Sequence, residues 1–219
     1  MMLTEHARMS ESPRPESPVA RSAAEPQRKL VMQPGVILAE CAFRGYLALR
    51  GTRETRAFSD ILAATIGLAL PRSGAYTVHD DQFVIWTGPD EVLLSLPPGG
   101  EGTLERVLVD ALAGKPHSVT DVSSGYTTFR IAGRDASRLI AAGCPLDLHP
   151  RAFSRGMCAG THIAKAQVVI LHIDESSEFH IIVRRSFADY LWLWLTDAGV
   201  EYGCSTTHHA ADHTVVVDL

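Results

Sequence analysis

Ten histidines, four cysteines and 25 acidic residues give this 219-residue chain the raw material for metal or acid–base chemistry. His162, His172 and His180 fall on three consecutive predicted strands, and three imidazoles meeting across a sheet are a plausible donor set for a divalent metal. No acidic residue stands where it would orient an imidazole. The apolar flanks Ile163, Leu171, Ile173 and Ile181 alternate, which puts these histidines on the less buried face, so no metal site is expected there. His208, His209, Asp212 and His213 have ligand-compatible spacing near the end of the sequence, but little around them preorganises a site, and solvation is the expectation. Cys41, Cys144, Cys158 and Cys204 form no CxxC pair and fit neither a zinc ribbon nor a small disulfide scaffold. Asp80-Asp81, Asp90-Glu91 and Asp174-Glu175 lie beside predicted strands, where turn chemistry accounts for them. The stretch Gly100-Glu101-Gly102-Thr103-Leu104-Glu105 approaches a dinucleotide loop, but Glu105 replaces the third glycine and would repel a pyrophosphate. Neither GxxxxGK[ST] nor GxSxG occurs. Asp121-Val122-Ser123-Ser124-Gly125 is polar enough to act on a substrate, yet a connection between two domains is the simpler expectation. No nucleophile, base and orienter come together, so no catalytic, cofactor-binding or metal residue is assigned.

The elements that carry these residues repeat. A strand is predicted at 46–51, followed by a helix with Phe58, Ile61, Leu62, Thr65 and Ile66 on one face and Gly67 as its stop. Strands follow near 75–78, 82–86 and 92–96. Leu104, Val107, Leu108, Ala111 and Leu112 then form a closing helical face that ends at Gly114 and Pro116. The same order returns with a strand at 127–133, a helix carrying Ala136, Leu139 and Ile140, strands at 160–165, 168–173 and 179–183, and a last helix. The fold class expected is α+β: two similar β-α-β-β-β-α units with mainly antiparallel sheets. The corresponding division is a disordered tail at 1–30, a first domain at 31–116, a second at 117–203 and an extension at 204–219. Four prolines, four glutamates and no aromatic residue in the first 29 positions argue for the tail, which has too little apolar surface to offset its ordering entropy.

The last helix is the one element that exceeds what packing needs. Its start reads as a capping box, Ser186 with Asp189 three residues on. Phe187, Tyr190, Leu191, Trp194 and Leu195 fill a core-facing stripe, which leaves Trp192 and Leu193 elsewhere on the surface. Such residues ask for cover by the sister domain or by another chain. With Arg184 and Arg185 as a charged rim, the expected partner interface is Arg184, Arg185, Trp192 and Leu193. On this reading Trp192→Ala spares the isolated chain and weakens assembly.

The composition bounds the class. Apolar residues make up 46% and charged residues 21%, with a formal charge of −5, which is ordinary globular composition without the clustered basic excess of a nucleic-acid surface. No run approaches the ~18 apolar residues of a spanning helix, and the start lacks the apolar core of a signal peptide. A cytoplasmic protein that binds neither membrane nor nucleic acid is expected.

Four stretches carry a resemblance. Gly88-Pro89-Asp90-Glu91, Asp121-Val122-Ser123, the run from Gly143-Cys144-Pro145-Leu146-Asp147 through Leu148-His149-Pro150-Arg151-Ala152-Phe153, and Arg184-Arg185-Ser186-Phe187-Ala188-Asp189-Tyr190-Leu191-Trp192 resemble the gamma subunit of heterotetrameric sarcosine oxidase. The likeness covers roughly 43–203; Val92 departs from it, standing where a tryptophan is expected. The resemblance implies a structural subunit of a complex that oxidatively demethylates sarcosine to glycine. Such a complex produces hydrogen peroxide and, with tetrahydrofolate as co-substrate, methylenetetrahydrofolate. It also implies alpha, beta and delta partner subunits that hold the FAD, FMN, NAD and zinc, a chain that is not catalytic alone, and a fold similar to that of folate-binding aminomethyltransferases. The alternative is a free-standing folate-binding, one-carbon transferase-like protein.

Overall fold

A computed structural model describes residues 15–23, 33–51, 56–174 and 177–207. The first half runs α1 (Ala20–Ala23), β1 (Ile37–Cys41), β2 (Gly45–Gly51), α2 (Arg56–Ile66), β3 (Tyr76–His79), β4 (Gln82–Trp86), β5 (Glu91–Leu96) and α3 (Glu101–Ala111). The second runs β6 (His117–Asp121), β7 (Tyr126–Ala132), α4 (Ala136–Ala141), β8 (Cys158–Ile163), β9 (Ala166–Asp174), β10 (Glu178–Arg184), α5 (Arg185–Ala198) and β11 (Ser205–Thr207). One sheet has the order β3-β4-β5-β2-β6, the other β11-β1-β7-β10-β9-β8, and all pairs are antiparallel except β1 with β11.

The repeat is present, and each unit is one strand longer than the sequence reading gave. β1 precedes the first unit but pairs with β7 of the second, while β6 precedes the second unit but pairs with β2 of the first. The two units thus exchange their leading strands. A cut at 116/117 separates each sheet from one of its own strands, because pairing along the sheets crosses that point in both directions. The extension drawn at 204–219 supplies β11, which joins the second sheet.

Burial on both faces explains the apolar runs of the central strands. In β5, Val92 and Leu94 pack toward α2 and α3 with Leu47, Phe58, Leu62 and Leu108, while Leu93 faces the other sheet. That middle layer joins Tyr46, Tyr76, Phe83 and Ile85 to Cys158, Leu171 and Ile182. On the far side Phe129, Ile170, Phe179 and Ile181 pack under α4 and α5. The result is four layers, helices–sheet–sheet–helices, with strands that read as continuous rather than alternating hydrophobics. Tyr46 ties the two sheets directly, its hydroxyl 2.6 Å from Thr128 Oγ1.

Local chemistry sets the ends. Asp80 and Asp81 both take positive φ (51° and 56°), as a two-residue hairpin turn between β3 and β4 requires. Gly67, at φ 75°, caps α2 as its position predicts. The polar run 121–125 is the crossing between sheets: Asp121 Oδ1 accepts the Ser123 amide, and Ser123 Oγ accepts the Tyr46 amide.

Part of the segment assigned to a disordered tail is docked. Val19 is buried in the second unit's core, and the Ser17 hydroxyl donates to Glu40 beneath it. The remainder of 1–30 outside 15–23, and His208, His209, Asp212 and His213, lie outside the described residues.

Candidate functional site

α5 follows β10 without a loop, so the strand's twist fixes how the helix meets its sheet. The stripe it buries is Ala188, Leu191, Trp192 and Leu195, spaced i, i+3, i+4 and i+7. This corrects the sequence reading. Trp192 is 1% exposed and meets Phe129 edge-on, with ring centroids 5.4 Å apart. It belongs to its own unit's core rather than to a partner or to the first unit. Phe187 and Tyr190, assigned to the core, are instead 41% and 37% exposed, and Leu193 is 46% exposed, as expected. Trp194 is half-buried against Gly143, where any Cβ would stand 2.6 Å from the indole Cη2. Its middle, from Tyr190 to Leu195, is an unbroken run of large apolar and aromatic residues, so two stripes about 100° apart fit that run equally well. Its polar residues Ser186, Asp189 and Asp197 were the signal that separates them.

No capping box forms. Arg184 occupies the N-cap without a side-chain bond. Asp189 instead accepts the hydroxyl of Ser22 from the docked segment. Arg185 Nη2 donates to the Glu16 carbonyl at 2.6 Å, and Arg184 stacks over the Tyr126 ring at 5.3 Å. Between this segment and the start of α5 lies a groove of about 740 Å³ lined by Arg21, Arg184, Arg185, Ser186, Glu16 and Asp189. Arg184 and Arg185 are therefore brought to this groove, Leu193 is exposed on α5 outside its lining, and Trp192 is buried. Sequence reasoning missed the Arg21 side of that groove because 15–23 was assigned to the tail.

The richest titratable cluster lies elsewhere, at one end of the layer between sheets. The buried Arg44 donates to Ser95 Oγ (2.8 Å), to Asp81 Oδ2 (2.7 Å) and to the Asp81 carbonyl (2.6 Å), with its guanidinium over the Phe83 ring. Arg130 grips Glu178 with two bonds of 2.9 and 2.7 Å, and His180 Nε2 lies 3.3 Å from the same carboxylate. The His180 contact and the Arg130 bonds hold the Glu178 carboxyl down at about 2, against the cost of burial. Each network stays within its own sheet, Arg44 with Ser95 and Asp81 in the first and Arg130 with Glu178 and His180 in the second. The two meet where the His180 ring lies 5.6 Å from that of Phe83. Asp80-Asp81 and Asp90-Glu91 are turn residues, and Asp81 and Glu91 gain arginine partners in Arg44 and Arg50.

The three strand histidines do not converge, and they do not share the less buried face. His162 is exposed. His172 is buried on the helix side, stacked with Phe153 and Phe179, with Nδ1 2.8 Å from the Phe153 carbonyl. His180 points into the layer between sheets, beside Phe83. His172 pairs with Phe179 and His180 with Leu171, so ordinary alternation along β9 and β10 puts the two imidazoles on opposite faces. Among the described residues, no three His, Cys, Asp or Glu side chains lie at metal-binding spacing. Burial pushes the thiols of Cys158 and Cys204 up to about 11, so neither is a thiolate at neutral pH. The Gly100-Glu101-Gly102 stretch opens α3, and Glu101 packs against Gly45. No helix among the described residues is long and apolar enough to cross a membrane.

Residues 50–201 match the model of the sarcosine oxidase, gamma subunit family. The chain is 33% identical over 190 residues to a sarcosine oxidase subunit gamma of Corynebacterium sp. (strain P-1), covering 84% of this chain and 92% of that one. It is 32% identical over 173 residues to the corresponding subunit of Arthrobacter sp., covering 78% and 83%. Among solved structures, a chain of heterotetrameric sarcosine oxidase from Corynebacterium sp. U-96, in complex with pyrrole 2-carboxylate, superposes with a TM-score of 0.76 at 29% identity, covering 91% of this chain and 99% of that one. The glycine cleavage aminomethyltransferase T of Bartonella henselae shares the fold, with a TM-score of 0.60 at 14% identity over 80% of this chain and 48% of that one.

Proposed function

The chain belongs to the sarcosine oxidase gamma subunit family, and from that premise we propose that it is a structural, non-catalytic subunit of an oxidase complex. The complex demethylates sarcosine to glycine with release of hydrogen peroxide, and passes the one-carbon unit to tetrahydrofolate. Its alpha, beta and delta subunits hold the FAD, FMN, NAD and zinc, and the assembly works in the cytoplasm.

The observation that carries this reading is the outer face of α5. Its core stripe is complete, yet Phe187, Tyr190 and Leu193 remain on the solvent side, with Arg184 and Arg185 at the head of the helix. A helix that has already satisfied its own unit gains nothing from exposed aromatics unless another chain covers them. The pairing of Arg44 with Asp81 and of Arg130 with Glu178 supports a structural role, because each charge is committed to a partner within its own sheet.

Affinity purification of the chain under native conditions, from cells that also make the other subunits, tests the reading. Yellow flavoprotein subunits are expected to co-purify and to oxidise sarcosine. The chain purified alone is expected to be colourless and to oxidise no N-methyl amine. A flavin spectrum that stays with the isolated chain, or a native preparation without partner subunits, overturns the reading.

A further inference from the structure

The groove between the docked N-terminal segment and α5 has a chemistry that the aromatic face alone does not explain. Two pieces of chain far apart in sequence build it: 16–21 on one side and 184–189 on the other, closed at the base by Gly125. Arg21, Arg184 and Arg185 converge on it from both walls. Arg185 is committed to the Glu16 carbonyl and Arg184 is steadied by the Tyr126 ring, while Arg21 has no ion-pair partner among the described residues. Of the two acidic residues there, Asp189 already accepts the Ser22 hydroxyl. Arg21, Arg184 and Arg185 face the carboxylates of Glu16 and Asp189, so the groove keeps a net positive charge. Tyr190 and Leu193 follow its lining residues Ser186 and Asp189 at i+4 on the same helix.

Resting on the reading of this chain as a subunit, we propose that the groove is the seat of an acidic segment of a partner subunit. Carboxylates of that segment meet Arg21 and Arg184, and its adjoining apolar residues cover Tyr190 and Leu193. Guanidinium forks suit carboxylates, and arginines held by stacking lose little freedom on engaging them. The docked segment 15–23 is then half of the interface rather than a stray end. Val19 in the core and Ser17 on Glu40 hold it in place for that purpose.

The test uses the whole complex, formed by co-expressing the partner subunits with wild-type chain or with the Arg21→Glu, Arg184→Glu double variant. Both positions are exposed, so the isolated variant should melt with the wild type. If it does not, the Arg21→Gln, Arg184→Gln pair replaces it. Affinity is read by titration at several salt concentrations. The expected result is a loss of roughly tenfold or more at low salt, with a shallower salt dependence in what remains. Equal affinity and an equal salt slope in variant and wild type overturn the groove assignment and leave the subunit reading standing. A wild-type chain that captures no oxidase subunit overturns both. Wild-type self-association that the variant abolishes also overturns the proposal, because the groove then belongs to a second copy.

Discussion

The helices α3 and α5 close equivalent units, each running back over a sheet after its third consecutive strand, and they differ in how they meet sheet and solvent. α3 buries only Leu108 within its span, and its outer side mixes Val107 and Val109 with Arg106 and Asp110. α5 anchors four side chains, an indole among them, and still presents Phe187, Tyr190 and Leu193 outward. The sheet beneath dictates one stripe per helix, about a third of its circumference. The remaining face is free to vary, and aromatic residues have accumulated there on one helix alone. The difference teaches that the shared scaffold is a property of both units, whereas the exposed aromatic face is a property of the second.

The comparison is broken most severely at Trp192. Trp192→Ala should cost about 3–5 kcal/mol by emptying the space above Phe129, a large fall in the melting temperature of the isolated chain. A variant that melts with the wild type would return the indole to the surface. Leu108→Ala, the single anchor within α3, should cost about 2–3 kcal/mol in the same assay. If it cost as much as Trp192→Ala, the two helices would be equally anchored and the contrast lost. The outer faces are separated by Phe187→Ala with Tyr190→Ala, which should weaken assembly by about 1–2 kcal/mol and shift the isolated chain's stability by less than ~0.5 kcal/mol. Val107→Ala with Val109→Ala should change neither affinity nor stability beyond ~0.5 kcal/mol.

A pair of carboxylates extends the same contrast to the strands that lead into these helices. Glu91 opens β5 and pairs with Arg50, while Glu178 opens β10 and pairs with Arg130. Glu178→Gln should cost about 1 kcal/mol at pH 7, because the half-exposed Arg130 is screened by solvent, and Glu91→Gln should cost less than ~0.5 kcal/mol. The folded-state value of Glu178, about 2, lies below its ordinary 4.5. Its contribution is therefore complete above 4.5 and disappears as pH falls toward 2. Urea midpoints of wild type and Glu178→Gln should converge across that interval. Curves that stay parallel would refute the role given to His180 and Arg130.

The order of elements was legible wherever both faces of a strand are buried. Phe83-Val84-Ile85 and Val92-Leu93-Leu94 leave no other assignment. β6 was not legible, since in His117-Ser118-Val119-Thr120-Asp121 only Val119 is apolar, as befits an edge strand with little to cover. β1 was hidden differently: Glu40, buried within it at 1% exposure, interrupts the apolar pattern, and the distant hydroxyls of Ser17 and Thr127 make that carboxylate tolerable. The phase of α5 was misread because aromatic bulk was given more weight than Ala188. A small residue among large ones marks the close approach of helix and sheet, and the aromatics followed their neighbours. That Leu193 is exposed followed from helical periodicity, and Arg184 and Arg185 were read from their place at the head of the helix. The Arg21 wall was not, because nothing local in 15–23 reveals a binding partner more than a hundred residues away.

The exchanged leading strands also govern the order in which this chain becomes a protein. Ala39 pairs with Arg130, so β1 emerges from the ribosome long before the strand it belongs with exists. At ordinary synthesis rates that wait is roughly 5–20 s, during which a short apolar strand has no native neighbour on either side. β6 finishes the first sheet only after the whole first unit has been made, and β11 shields β1 only at the very end. Neither half can be a folding unit in its own right. Nascent chains released at residue 116 should therefore be substrates for chaperones and proteases rather than miniature domains.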